Sequence, residues 1–112
     1  MATRTTVRTE FLCDVYTCAL EGGIGYWSTC TDYRWSSDPL ATVEESSGDP
    51  HVITLDTIAR GVNSIVNGAA MIPDVQRRRI AAAVRTHDAE TIDATDADAI
   101  VQAALFGSLV YG

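Results

Sequence analysis

One twelve-residue segment constrains the fold of this chain more than any other feature. The segment from Ile24 to Trp35 is rich in β-branched and aromatic residues, which favour strands. Strict alternation puts Trp27, Thr29, Thr31, Tyr33 and Trp35 on one face and Tyr26, Ser28, Cys30, Asp32 and Arg34 on the other. One aromatic face opposite a mixed polar face is typical of an antiparallel sheet that is packed on one side only.

Two shorter strands are predicted next, Ala41 to Glu45 and Val52 to Leu55. The loop between them, residues 46–50, reads Ser-Ser-Gly-Asp-Pro and is rich in turn formers. Because the connections are short, the three strands should form an antiparallel meander.

Helical patterns surround these strands. A first helix is predicted over residues 6–21, with Thr5 or Thr6 as N-cap, an apolar stripe, and Gly22-Gly23 as its stop. Its stripe comprises Val7, Phe11, Leu12, Val15, Cys18 and Ala19. Three more helices should follow, beginning near Asp56, Pro73-Asp74 and Asp93, with Val66, Val75 and Val84 among their inward residues. The predicted fold class is α+β: an N-terminal helix, a three-stranded antiparallel meander, then three C-terminal helices in a single domain, residues 1–112.

Charge and cysteine content narrow the function classes. The chain has 15 acidic and 8 basic residues, all eight of them arginine, and a net charge of −7. An acidic protein is poorly suited to bind nucleic acid or anionic lipid directly, since both are bound through cationic patches. No apolar run reaches a membrane span and no apolar stretch follows the N-terminal arginines, so a cytoplasmic location is expected. Cys13, Cys18 and Cys30 lack metal-site spacing and are expected to be free and buried.

Nothing in the chain predicts catalysis, a metal site or a cofactor. His87 falls where a helix ends and is best explained as a capping residue, while His51 is expected in a solvated turn. Glu44 and Glu45 are adjacent in a strand and should point to opposite faces. Asp93, Asp96 and Asp98 are explained by capping and solvation. We therefore expect a protein that is not an enzyme.

The candidate ligand-binding residues lie in and beside the first strand. Gly22-Gly-Ile-Gly25 lacks the strand-then-helix context of a dinucleotide fingerprint, but its amides could form an anion nest. Aromatic rings and an arginine nearby could stack a planar base and pair with a phosphate. The candidate set is Gly23, Gly25, Tyr26, Trp27, Tyr33, Arg34 and Trp35, and the aromatic residues could equally be core. Arg77, Arg78 and Arg79 could add charge or form an ordinary solvated face.

Three segments resemble small proteins of actinobacteria and their phages. They are Glu21-Gly-Gly-Ile-Gly-Tyr-Trp27, Leu55-Asp-Thr-Ile-Ala-Arg-Gly61 and the C-terminal run from Asp96 to Gly112, which ends Ala-Leu-Phe-Gly-Ser-Leu-Val-Tyr-Gly. The resemblance spans most of the chain and implies a phage or prophage accessory protein in a GC-rich host. It implies no catalytic residues. Such small proteins often counter host defence by binding a host protein or a nucleotide signal.

Three functional hypotheses follow. The first is a non-catalytic counter-defence protein that sequesters a small anionic, nucleotide-like ligand. The second is an acidic inhibitor that imitates DNA and docks on a host nucleic-acid-binding protein, as anti-CRISPR proteins do. The third is a small hydrolase. The apolar run from Leu105 to Tyr111 should either pack into the core or make a homo-oligomer through the C-terminal segment.

Overall fold

A computed structural model describes residues 5–34 and 38–112, and it confirms the predicted α+β fold. In chain order the elements are α1 (Thr6–Cys18), a π-helical turn (Ala19–Gly23), β1 (Ser28–Arg34), β2 (Leu40–Glu45), β3 (Pro50–Thr54), α2 (Leu55–Val66), α3 (Asp74–Thr86), a 3₁₀ turn (Ala89–Thr91) and α4 (Ala94–Phe106). Within the described ranges the strands form one antiparallel sheet in the order β1-β2-β3.

The first helix begins as predicted and ends differently. The Thr5 side chain accepts a hydrogen bond from the backbone of Arg8, and Phe11, Leu12 and Val15 are buried. Val7, placed on the apolar stripe, is instead 54% exposed. The α-helix ends at Cys18 and continues as a π-helical turn, and this helical segment ends at Gly23, at the predicted glycine stop. A Cβ on Gly23 would lie 2.9 Å from the carbonyl oxygen of Ala94, so glycine lets the start of α4 approach closely.

The strict alternation predicted for the first strand is wrong. Trp27 lies in a turn before the strand, and a β-bulge interrupts the register between Cys30 and Asp32. Cys30 pairs with Val43, and Tyr33 pairs with Ala41. Val43 and Ala41 both face the core, so Cys30 and Tyr33 lie on the same side of the sheet. The extra residue at the bulge moves Tyr33 and Cys30 from opposite predicted faces to a shared one.

The second helix is capped two residues earlier than predicted. Thr54, and not Asp56, is the N-cap, and its side chain and that of Thr57 form a capping box. Gly61 lies against α4, where any side chain would collide with the backbone carbonyl of Ile100. This close approach lets α2 and α4 form the helical centre of the core. Val66, which was predicted to face inward, is exposed.

In α3 and α4 the observed burial of side chains differs from the predicted pattern. Val75 at the start of α3 is 71% exposed, whereas Ile80 and Ala83 are buried as expected and Val84 is half-buried. From Asp96 to Ala103 every residue of α4 is buried, so this helix lies at the centre of the domain. After Gly107, in the left-handed conformation, the chain turns back and Leu109 donates a backbone hydrogen bond to Met71. We call residues 107–112 the C-terminal segment.

Candidate functional site

Asp98 is the centre of a buried polar network in α4. Its carboxylate accepts hydrogen bonds from the Tyr26 hydroxyl at 2.6 Å, the Trp27 indole nitrogen at 2.8 Å and the Gln102 amide at 2.8 Å. Burial, followed by the bond to Asp98, raises the pKa of Tyr26 to about 12. The expectation that Asp98 is solvated is therefore wrong. These bonds tie the segment before β1 to the central helix.

Gln102 extends this network to the C-terminal segment. Its Oε1 atom accepts hydrogen bonds from the backbone N–H groups of Val110 and Tyr111, at 2.7 and 2.9 Å. The Tyr111 ring stacks on Trp27 with a centroid separation of 5.1 Å and an interplanar angle of 1°. The Tyr111 side chain therefore packs into the core of its own chain, while Leu109 and Val110 remain exposed.

The network ends at Glu45 and His51 on the sheet. Glu45 accepts a hydrogen bond from the Tyr111 hydroxyl at 2.5 Å, and its other oxygen lies 2.6 Å from His51 Nε2. The hydrogen bond from His51, then that from Tyr111, lowers the pKa of Glu45, and the bond to Glu45 raises the pKa of Tyr111. His51 also packs edge-on against Phe106. It is a packed strand residue, so its predicted place in a solvated turn is wrong.

Arg77, Arg78 and Arg79 on α3 differ in their contacts. Arg77 donates hydrogen bonds to the backbone carbonyls of Ile65 and Ala70, near the C-terminus of α2. Arg79 makes a bidentate contact with Asp96, at 2.6 and 2.8 Å, and the Asp96 side chain is fully buried. Asp96 is thus neither solvated nor available at the surface. Arg78 is exposed.

His87 adopts the left-handed conformation that ends α3, with φ of 51°. Its ring packs edge-on against Phe11 at 6.0 Å. The position of His87 agrees with the predicted capping role, and the residue ends α3 through its left-handed backbone conformation. No group of three or more His, Cys, Asp or Glu residues in the described ranges is arranged to hold a metal ion.

A groove of about 520 Å³ lies between the end of α1 and β1, and we call it the α1–β1 groove. Its described lining is Thr17, Leu20, Glu21, Cys30 and Tyr33. Cys30 is exposed rather than buried as predicted, as is every residue of β1 after Ser28, and Tyr33 is 61% exposed. Burial raises the pKa of the nearby Tyr16 hydroxyl to about 12. The charges of Cys30, Tyr33 and Arg34 also affect this pKa, so Tyr16 lies close to them. The groove brings together two walls whose residues are nine or more positions apart in sequence.

The predicted ligand-binding residues do not converge on one point. Gly23 is buried against α4, Trp27 is 1% exposed and belongs to the core, and Gly25 is exposed with open space around it. Tyr26 is 58% exposed but its hydroxyl is bound to Asp98. Arg34 is exposed and binds the carbonyl and carboxylate of Asp38. Trp35 lies outside the described residues. Of the predicted set, Tyr33 lines the groove and Arg34 follows it on β1.

An acidic surface lies beside the α1–β1 groove. We call it the acidic face and define it as Glu10, Asp14, Glu21, Asp88, Glu90 and Asp93, all exposed. Asp14, Asp88 and Glu90 surround one depression, together with Cys18 and His87. Burial, then the negative charges of Asp93 and Glu21, raises the pKa of the Cys18 thiol, so these two carboxylates lie near the same depression. No carboxylate of the acidic face forms an ion pair within the described part of the chain.

The sequence predicted Tyr33 as a site residue, but it did not predict Thr17, Leu20 and Glu21 on the opposite wall of the groove.

No helix in the described residues is long and apolar enough to cross a membrane. Comparison with family models, with curated proteins and with solved structures found no match to this chain.

Proposed function

We propose that this chain is a non-catalytic binding protein that docks on a basic surface of another protein through its acidic face. The observation that carries the proposal is the acidic face itself, where exposed carboxylates from α1 and from residues 88–93 meet without ion pairs among the described residues. Such a surface speeds encounter with a positively charged partner and excludes acidic ones. Surfaces that bind nucleic acid are basic, so a nucleic-acid-binding protein is the partner class of best fit.

The resemblance to small actinobacterial and phage proteins suggests the setting for this role. In that setting the chain would act as an accessory protein in the host cytoplasm and inhibit a host protein by covering its nucleic-acid site. Support for the acidic-inhibitor hypothesis comes from the position of the charges. Asp96, Asp98 and Glu45 are engaged inside the molecule, so they are not part of the charged surface that a partner would meet, whereas all six carboxylates of the acidic face are exposed.

Neutralising two charges on the acidic face should weaken partner binding by on the order of fivefold, because each exposed charge pair contributes modestly. The double variant Asp14→Asn/Glu90→Gln would be compared with Glu44→Gln/Asp49→Asn, which changes the net charge equally at exposed sites elsewhere. Each immobilised protein would be exposed to an actinobacterial lysate. A captured protein that is released by added DNA would then be purified and its affinity measured at two salt concentrations. Equal affinity of that protein for the two double variants would contradict the proposal.

Capture of a small nucleotide-like ligand is a second candidate, favoured by one observation. The α1–β1 groove has the volume of a small-molecule site, its lining includes the largely exposed Tyr33 ring, and the exposed Arg34 follows Tyr33 on β1. It ranks second because Glu21 lines the groove, Trp27 is buried and Arg34 is bound to Asp38. If it is correct, native mass spectrometry of protein purified from its host should retain a small mass that Arg34→Ala loses. A mass retained equally by Arg34→Ala and wild type would count against this site.

A further inference from the structure

The α1–β1 groove offers mainly hydrogen-bond acceptors to a ligand. Of the three donors on its described lining side chains, two already point to backbone carbonyls. The Thr17 hydroxyl donates to Cys13 at 2.9 Å, and the Cys30 thiol donates to Asp32 at 3.4 Å. The Thr17 oxygen, the Cys30 sulfur and the Glu21 carboxylate are left as acceptors. Apart from the Tyr33 hydroxyl, the third donor, these groups match a ligand that supplies donors, which an acceptor-rich phosphate does not.

The remaining walls of the groove suit a flat cation on an apolar stem. Tyr33 presents a largely exposed ring, whose face attracts a cation placed against it. Leu20 is partly buried and gives an apolar surface for methylene groups. A guanidinium combines a planar charge that stacks on an aromatic ring with five N–H donors in a fixed arrangement. An ammonium is a compact, strongly hydrated charge that stacks poorly.

We infer that the α1–β1 groove binds an arginine side chain of the partner protein, with the guanidinium between the Glu21 carboxylate and the Tyr33 ring. This inference rests on the proposed function and names the group that the binding surface recognises. Glu21 belongs to both the groove and the acidic face, so an inserted arginine would anchor a basic surface lying over that face. The Arg34 guanidinium does not oppose this, because it is bound to the carbonyl and carboxylate of Asp38.

The test uses the full chain and defined probes. An acetylated Gly-Arg-Gly amide would be titrated into ¹⁵N-labelled protein and followed by NMR, in parallel with the lysine peptide, the citrulline peptide and adenosine monophosphate. Citrulline keeps the shape of arginine without its charge. We expect the arginine peptide to shift the amide signals of Glu21, Cys30 and Tyr33, and the citrulline peptide to leave them in place. Glu21→Gln and Tyr33→Leu should each weaken arginine binding about two- to fivefold, and Glu44→Gln should not change it.

The other outcomes separate this inference from the proposed function. Equal binding of citrulline and arginine would overturn the role of charge, and equal binding of lysine would overturn the role of the planar group. Shifts from adenosine monophosphate alone would favour the small-ligand candidate. If no peptide binds while Asp14→Asn/Glu90→Gln still loses its captured partner, the groove inference fails and the proposed function stands. If arginine binds the groove but that double variant keeps its partner, the proposed docking face is wrong.

Discussion

Replacing Trp27 with alanine is expected to lower the free energy of unfolding by about 3–5 kcal/mol, the largest effect we predict for a single substitution. The ring is 1% exposed, stacks on Tyr111 and meets Phe106 edge-on at 5.7 Å. Its removal would leave a cavity and would also take one of three donors from the buried Asp98 carboxylate. The Asp98 oxygen keeps the hydrogen bond from Gln102, but the loss of one bond to a buried carboxylate adds a cost beyond the lost apolar contact.

Tyr33 provides the matched control, because it is an aromatic residue of the same segment with a largely exposed side chain. Tyr33→Ala should change the free energy of unfolding by no more than about 0.5 kcal/mol. Both variants would be unfolded in urea and followed by circular dichroism, which does not depend on the tryptophan signal. A loss below about 1 kcal/mol for Trp27→Ala, or an equal loss for the two variants, would show that the ring is not a core residue. Trp27→Phe, which keeps a ring without the N–H donor, should fall between wild type and Trp27→Ala.

The architecture was predictable because its signals are local. Periodic apolar residues marked the helices, and Thr5 and Asp93 are the N-caps of the two helices whose starts they predicted. The bulge in β1 was not predictable, since it depends on how the strand pairs with β2 and not on its own composition. A single inserted residue reverses the faces of everything after it, which is why Tyr33 was predicted as a site residue but Cys30 was not placed beside it.

The burial of polar residues in α4 was also not predicted from the sequence. Asp96, Asp98 and Gln102 lie within the central helix, where a pattern of charge and hydropathy favours exposure. Their burial is possible because partners distant in sequence satisfy them: Arg79 on α3, Tyr26 before β1 and the backbone of the C-terminal segment. No local rule identifies such pairs. The candidate site could not be predicted for the same reason, because Glu21 becomes a groove residue only when β1 folds beside α1.

The buried pair of Asp96 and Arg79 should determine part of the pH dependence of stability. Burial is the largest single influence on Asp96 and by itself raises its pKa, but hydrogen bonds from Arg79, Gln76 and the Asp93 backbone, with the charge of Arg79, outweigh it. The net pKa is lowered. A carboxylate with a lowered folded pKa stabilises the protein above its unfolded pKa of about 3.9, and that stability is lost as pH falls through the folded value. The Cys18 thiol, which also senses Asp96, has a raised pKa and stays neutral in this range.

Arg79→Met should reverse the sign of this contribution. Without the guanidinium, the burial of Asp96 is opposed only by Gln76 and the Asp93 backbone, so its folded pKa should rise above the unfolded one. Leaving the Asp96 charge buried without its cationic partner should cost about 3 kcal/mol at pH 7. That loss should shrink as pH falls towards 4, because the folded variant then binds a proton more readily than the unfolded chain. Urea unfolding at pH 4, 5.5 and 7 would measure the difference from wild type, with Arg79→Met/Asp96→Asn as the control without a titrating carboxylate. A loss that is constant across this range, or that matches the control, would mean that Asp96 is not held ionised by Arg79.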